Sequence, residues 1–108
     1  MKTPIARHPP IVLLVALRDE QARACSSACA PLPTMRAASA ATAVERMAIV
    51  RPLLVVVDGD LPESELAVVT ERTSDVVSVL VRIDESMDAK TLETKLKAAA
   101  LEAEMRRG

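Results

Sequence analysis

The chain has 108 residues, half of them apolar, with no Phe, Tyr or Trp, and a formal net charge of −1 from 14 basic and 15 acidic side chains. That length suits one domain with one proper core, and the lack of aromatics excludes a stacking platform for single-stranded nucleic acid or sugar. The balanced charge gives no field toward DNA, RNA or an anionic membrane, and no apolar run approaches the roughly 20 residues that span a bilayer, so a cytoplasmic domain of bacterial type is expected.

Residues 1–10, "MKTPIARHPP", read as a flexible tail rather than a signal peptide, because the apolar stretch that follows soon meets Arg18, Asp19 and Glu20. The domain is expected over 11–107. "IVLLVAL", 11–17, is a continuous apolar run of the kind that forms a strand covered on both faces. Asp19 then opens a helix through about Ala30, stopped by Pro31 and Pro33. Cys25 and Cys29 share a face of it and read as small core hydrophobes. Cys-x-x-Cys spacing is missing and the only histidine is His8, in the tail. "TMRAASA", 34–40, is a weaker and more polar strand, as an edge would be. A helix follows from Thr42, with Val44, Met47 and Ala48 at helical spacing, broken by Pro52.

"LLVVVD", 53–58, is the second strongly buried strand, and it runs directly into the aspartate pair Asp58 and Asp60. A turn through Gly59 and Pro62 leads to Ser64, a cap for a helix of about two turns ending near Thr73. "DVVSVLVRI", 75–83, is the third buried strand. Asp88 opens a long last helix with Leu92, Leu96, Ala99 and Ala103 in one stripe. On its surface Glu93 with Lys97 and Glu102 with Arg106 are i,i+4 pairs worth about 0.3 kcal/mol each.

Alternating strands and helices imply a parallel sheet with helices on both faces. In such sheets chemistry gathers beyond the carboxyl ends of the strands. An ionised carboxylate is seldom buried without partners, and Asp58 falls at one of those ends.

At these residues the chain resembles a response-regulator receiver domain, the CheY-like (flavodoxin-like) three-layer α/β/α fold. "VVVDGDLP" is similar to the family's strand-three ending, an apolar run, the phospho-accepting Asp, two residues, then Leu-Pro. "VLLVAL" stands in the place of strand one, and "MRAASAATAVERM" resembles strand two running into helix two. The resemblance implies Asp58 as the phospho-acceptor position, vestigial or in use. It also implies an acidic pair at the end of strand one for Mg²⁺, where this chain has Ala16 and Leu17. A hydroxyl residue at the end of strand four is replaced by Val81. No Lys-Pro pair occurs, and every lysine but Lys2 lies in the last helix. Helix four and strand five of the family are missing, which leaves four strands in the order 2-1-3-4.

Without strand five, strand four becomes an open apolar edge, an association hazard. Homodimerisation is expected through strand four and the last helix, with Val77, Val79, Val81, Leu101 and Met105 at the interface; a signalling kinase or regulator is the other expected partner. The reading is a truncated, degenerate receiver, a non-enzymatic interaction module with no metal and no cofactor. Two alternatives stand beside it. In one the domain is an active single-domain receiver, phosphorylated on Asp58, with Asp19, Glu20 and Asp60 as an unusual set of Mg²⁺ ligands. In the other, more remote, "DGD" is the Asp-x-Asp of a phosphatase-type hydrolase.

Overall fold

Four strands and four helices alternate in the computed structural model, which describes residues 10–76, 78–84 and 86–107, residue 107 by its backbone only. The strands are β1 (Val12–Val15), β2 (Thr34–Ala37), β3 (Leu54–Asp58) and β4 (Val79–Ile83); the helices are α1 (Asp19–Cys29), α2 (Ala40–Ile49), α3 (Glu63–Asp75) and α4 (Ala89–Arg107). All pairings are parallel, in the order β2-β1-β3-β4. This is the CheY-like α/β architecture with four strands, and the chain passes from β4 to α4 through residues 84–88.

The two interior strands explain the unbroken apolar runs. Every residue of β1, and Leu54 to Val57 of β3, is buried, because helices cover both faces. Period-two alternation sorts them. Val12, Leu14, Leu54 and Val56 pack with α1 and α4 in one core, joined by Cys25, Cys29, Leu92 and Leu96. Leu13, Val15, Val55 and Val57 pack with α2 and α3 in the other, joined by Ala43, Met47 and Val69. Edge strand β2 carries the exposed Arg36, in keeping with its polar sequence.

Several boundaries differ from the sequence reading, each for a physical reason. Helix α2 starts at Ala40 rather than Thr42, because the Ser39 hydroxyl accepts the Thr42 N–H at 3.2 Å and caps it there. Its buried stripe is therefore Ala40, Ala43 and Met47, with Val44 only half-buried and Ala48 exposed. Helix α3 begins at Glu63, directly after Pro62, rather than at a Ser64 cap, and runs for 13 residues instead of two turns. Val69 and Thr73, four apart, both bury on the sheet, and the Thr73 hydroxyl donates to the Val69 carbonyl at 2.6 Å, which carries the helix on to Asp75. β4 consequently starts at Val79, not at 75. Helix α4 follows its reading: the Asp88 carboxylate accepts the Thr91 N–H at 2.7 Å, Leu92, Leu96, Ala99 and Ala103 are buried, and both surface ion pairs form. The tail reading falls on residues 1–9, outside the described residues, as does Val77.

Candidate functional site at the carboxyl ends of the strands

β3 buries Val57 completely and leaves Asp58, the next residue, half-buried at the end of the sheet. The chain turns there at once. The Asp58 main-chain carbonyl accepts the Leu61 N–H at 3.1 Å, and one carboxylate oxygen, Oδ1, accepts the Asp60 N–H at 2.9 Å. The second bond is an Asx turn, a structural use of an aspartate that needs no ligand. Gly59 completes the arrangement by donating its N–H to the Ile83 carbonyl at 2.7 Å. A Cβ at Gly59 would lie 3.2 Å from that same oxygen, so the close approach of the turn to β4 favours glycine.

Register fixes what stands around Asp58. On the β4 side its partner is Ile83, which is buried. The position expected to carry a hydroxyl is thus filled by Ile83 rather than Val81, and the replacement is still apolar. On the β1 side the ladder ends at Val15 opposite Val57. Ala16 follows with φ of +54°, in the left-handed region, and donates its N–H to the Ala37 carbonyl of β2 at 2.8 Å. Leu17 then turns back into the α1/α4 core, 7% exposed. Neither side chain brings an oxygen to the site.

The acidic residues offered as substitutes go elsewhere. Asp19, in the first turn of α1, pairs with Arg36 at 2.8 Å, and Arg36 also donates to the Leu17 carbonyl at 2.9 Å. That hydrogen bond, with the guanidinium charge behind it, holds the Asp19 carboxyl below the usual carboxylate range. Arg36 belongs to β2, which flanks β1 on one side, while Asp58 belongs to β3 on the other. Glu20 is exposed on the same helical turn as Asp19. Only Asp60 is brought to Asp58, and what it offers there is its backbone N–H. Among the described residues no group of three or more His, Cys, Asp or Glu is placed to hold a metal ion. Mg²⁺ takes oxygen ligands in near-octahedral geometry, and the neighbouring side chains of Ala16, Leu17 and Ile83 supply none.

An open cleft of about 400 Å³ lies just beyond the ends of β3 and β4, bordered by Asp60, Arg82, Asp84, Met87 and Lys95. Three of its four charged side chains are already engaged. Arg82 donates to the Gly59 carbonyl at 3.3 Å, Lys95 donates to the Arg82 carbonyl at 2.8 Å, and the Asp84 carboxylate accepts from the hydroxyl and N–H of Ser86. The Ser86 bonds keep the Asp84 carboxyl below its ordinary range. Arg36, Arg82 and Lys95 are not among the site residues that the sequence suggests. Arg36 was visible as a charge inside a short strand; Lys95 reaches the sheet only because α4 runs back across it.

Of the residues expected at an interface, Val77 lies outside the described residues and the others divide between core and surface. Val79 and Val81 are 8% and 4% exposed and pack into the α1/α4 core. The side chains that β4 presents on its other face are the half-buried Leu80 and the exposed Arg82. Leu101 and Met105 stand out from α4, 60% and 74% exposed. Cys25 and Cys29 are free and buried; burial and the neighbouring Cys29 push the Cys25 thiol up to about 12, and burial raises Cys29 as well, so neither is poised as a nucleophile. No described helix is long and apolar enough to cross a membrane.

No protein-family model matches the chain, and no curated protein does. Among solved structures it is similar to the signal receiver domain of a protein described as a Luxo repressor, from Vibrio parahaemolyticus. The TM-score is 0.73 and the identity 16%, over 92% of this chain and 95% of that one. At that identity the likeness establishes the CheY-like fold.

Proposed function

We propose that the chain is a degenerate response-regulator receiver domain, a non-enzymatic protein–protein interaction module of two-component signalling that works without a Mg²⁺-dependent phosphoryl cycle. One observation carries the reading. Asp58 stands at the strand end where a receiver keeps its acceptor, yet its carboxylate serves a local turn, while the neighbouring positions hold Ala16, Leu17 and Ile83. Phosphoryl transfer depends on cations and donors placed in advance around the developing charge. None of those three side chains supplies one. Without that chemistry the surfaces of the fold are what remain for signalling, so the partner is another polypeptide: a second copy, or a kinase or regulator.

A second reading keeps Asp58 as an active acceptor. It is favoured by Arg82 and Lys95, two cations at the cleft beside the Gly59–Asp60 turn. Intact-mass measurement after incubation with acetyl phosphate and Mg²⁺ separates the two. An unmodified chain is expected; a phosphoryl adduct that disappears in Asp58→Asn would establish the second reading and refute the first.

A further inference from the structure

Among the described residues β4 is an edge strand, and the polarity of its outer side can be read from its ladder. Val79 and Ile83 bond inward to β3, Val79 through its N–H to Leu53 and Ile83 through its carbonyl to Gly59. Parallel ladders alternate, so the backbone N–H and C=O of Leu80 and Arg82 point away from the sheet. Beside them runs a groove of about 510 Å³ between the β4 edge and α4, walled on the helix by Lys95, Ala98, Ala99 and Glu102. Lys95 marks one end, with its ammonium on the outward carbonyl of Arg82. Glu102 marks the other, two turns or about 10 Å further along the helix.

We infer that the groove is closed by a second copy of this chain, β4 pairing antiparallel with β4 about a two-fold axis through Val81. The inference rests on the interaction-module reading above and names its partner. Three features fit this occupant. An axis at Val81 sets Leu80 of one copy opposite Arg82 of the other, so the outward groups meet as hydrogen-bonded pairs and neither copy keeps an unpaired edge. The same axis brings Lys95 of each copy against Glu102 of the other, so the groove is complementary in charge to itself, as an isologous interface requires. Finally, Ala98, Leu101 and Met105 form a stripe on α4 adjoining the groove wall. In the paired arrangement both α4 helices lie on the same face of one continuous eight-stranded sheet, and these exposed apolar side chains have a surface to meet. Lys95 leaves the Arg82 carbonyl in the process, which the facing strand replaces, and Glu102 exchanges or shares its ion pair with Arg106.

Light scattering coupled to size exclusion tests this with charge reversals. The unaltered chain at high micromolar concentration should give about twice its 11.6 kDa mass. Lys95→Glu alone or Glu102→Lys alone places like charges together at two symmetric points and should weaken dimerisation on the order of a hundredfold. The double variant Lys95→Glu/Glu102→Lys should be dimeric again, and so should an equimolar mixture of the two single variants. Far-UV circular dichroism confirms that each variant is folded. A monomeric unaltered chain would overturn the proposal and leave the edge to Lys95 or a different polypeptide; a dimer indifferent to the reversals would place the interface elsewhere. Neither result touches the reading of Asp58, whereas a chain that is monomeric alone and dimerises only with Mg²⁺ and beryllofluoride would overturn both.

Discussion

Replacing Leu96 by Ala tests whether α4 is held on the sheet by its buried stripe. Leu96 is 1% exposed and lies in the core shared with β1, β3, β4 and α1. Three side-chain carbons are lost, about 2.4 kcal/mol of transfer free energy at ~0.8 kcal/mol per methylene. A residual cavity raises the total to about 3–4 kcal/mol, because neighbours anchored in a sheet close in only partly. Domains of this size have a total of roughly 5–15 kcal/mol, so the loss is a large fraction, and it should lower Tm by about 10–20 °C. The control is Leu101→Ala on the same helix, where an exposed side chain should cost no more than about 0.5 kcal/mol in the monomer. Urea unfolding followed by circular dichroism at one low protein concentration gives both values and keeps association out of the comparison. A Leu96→Ala loss below about 1 kcal/mol, or equal losses at the two positions, would mean that α4 is not packed as described.

Three further outcomes follow from the local geometry. Ala16 sits at φ +54°, so Ala16→Gly should leave stability unchanged or raise it by up to about 1 kcal/mol, while Ala16→Val should cost about 1–3 kcal/mol in thermal or urea unfolding; the reverse order would be incompatible with a left-handed residue there. The buried thiols, with Cys25 at about 12, should not react with an aromatic disulfide reagent in the native protein at mildly alkaline pH and should both react in urea; fast native labelling would reopen a redox role. Asp19 should titrate in carboxyl NMR below the ordinary Asp range, because Arg36 lowers it. Since the folded value is the depressed one, the contribution of this pair to stability is present above the unfolded Asp value and is lost as pH falls through the folded one. Arg36→Met should move the Asp19 midpoint back up, and an unmoved midpoint would show that the pair does not form in solution.

The fold was legible because the buried strands announce themselves. "IVLLVAL" and "LLVVVD" are unbroken apolar runs that suit strands covered on both faces, and the order of elements then leaves few topologies. What the sequence hid were boundaries set by single hydrogen bonds. Ser39 rather than Thr42 starts α2, and Thr73 carries α3 two residues past its expected end. The site was legible in position, since Asp58 had to lie at a strand terminus, but not in its contacts. Nothing in "DGD" says that Asp58 turns its carboxylate to the Asp60 amide, and nothing in Asp19 says that Arg36, seventeen residues on, will take it. The first is a local turn, and the second depends on how α1 sits against β2. Register decides that Ile83, not Val81, faces Asp58, and that Val79 and Val81 join the α1/α4 core while Leu80 packs against the other.

In the proposed receiver Asp58 is a turn carboxylate without a seat for a divalent ion. Amide NMR spectra recorded with and without Mg²⁺, and then with beryllofluoride added, address that most directly, because each backbone amide from Ala16 to Leu17, Asp58 to Leu61 and Ile83 to Asp84 reports on the site. Spectra that superimpose across all three conditions, and that match those of Asp58→Asn in their lack of response, are the expected result. Saturable shifts centred on Asp58 to Leu61 that vanish in Asp58→Asn would contradict it.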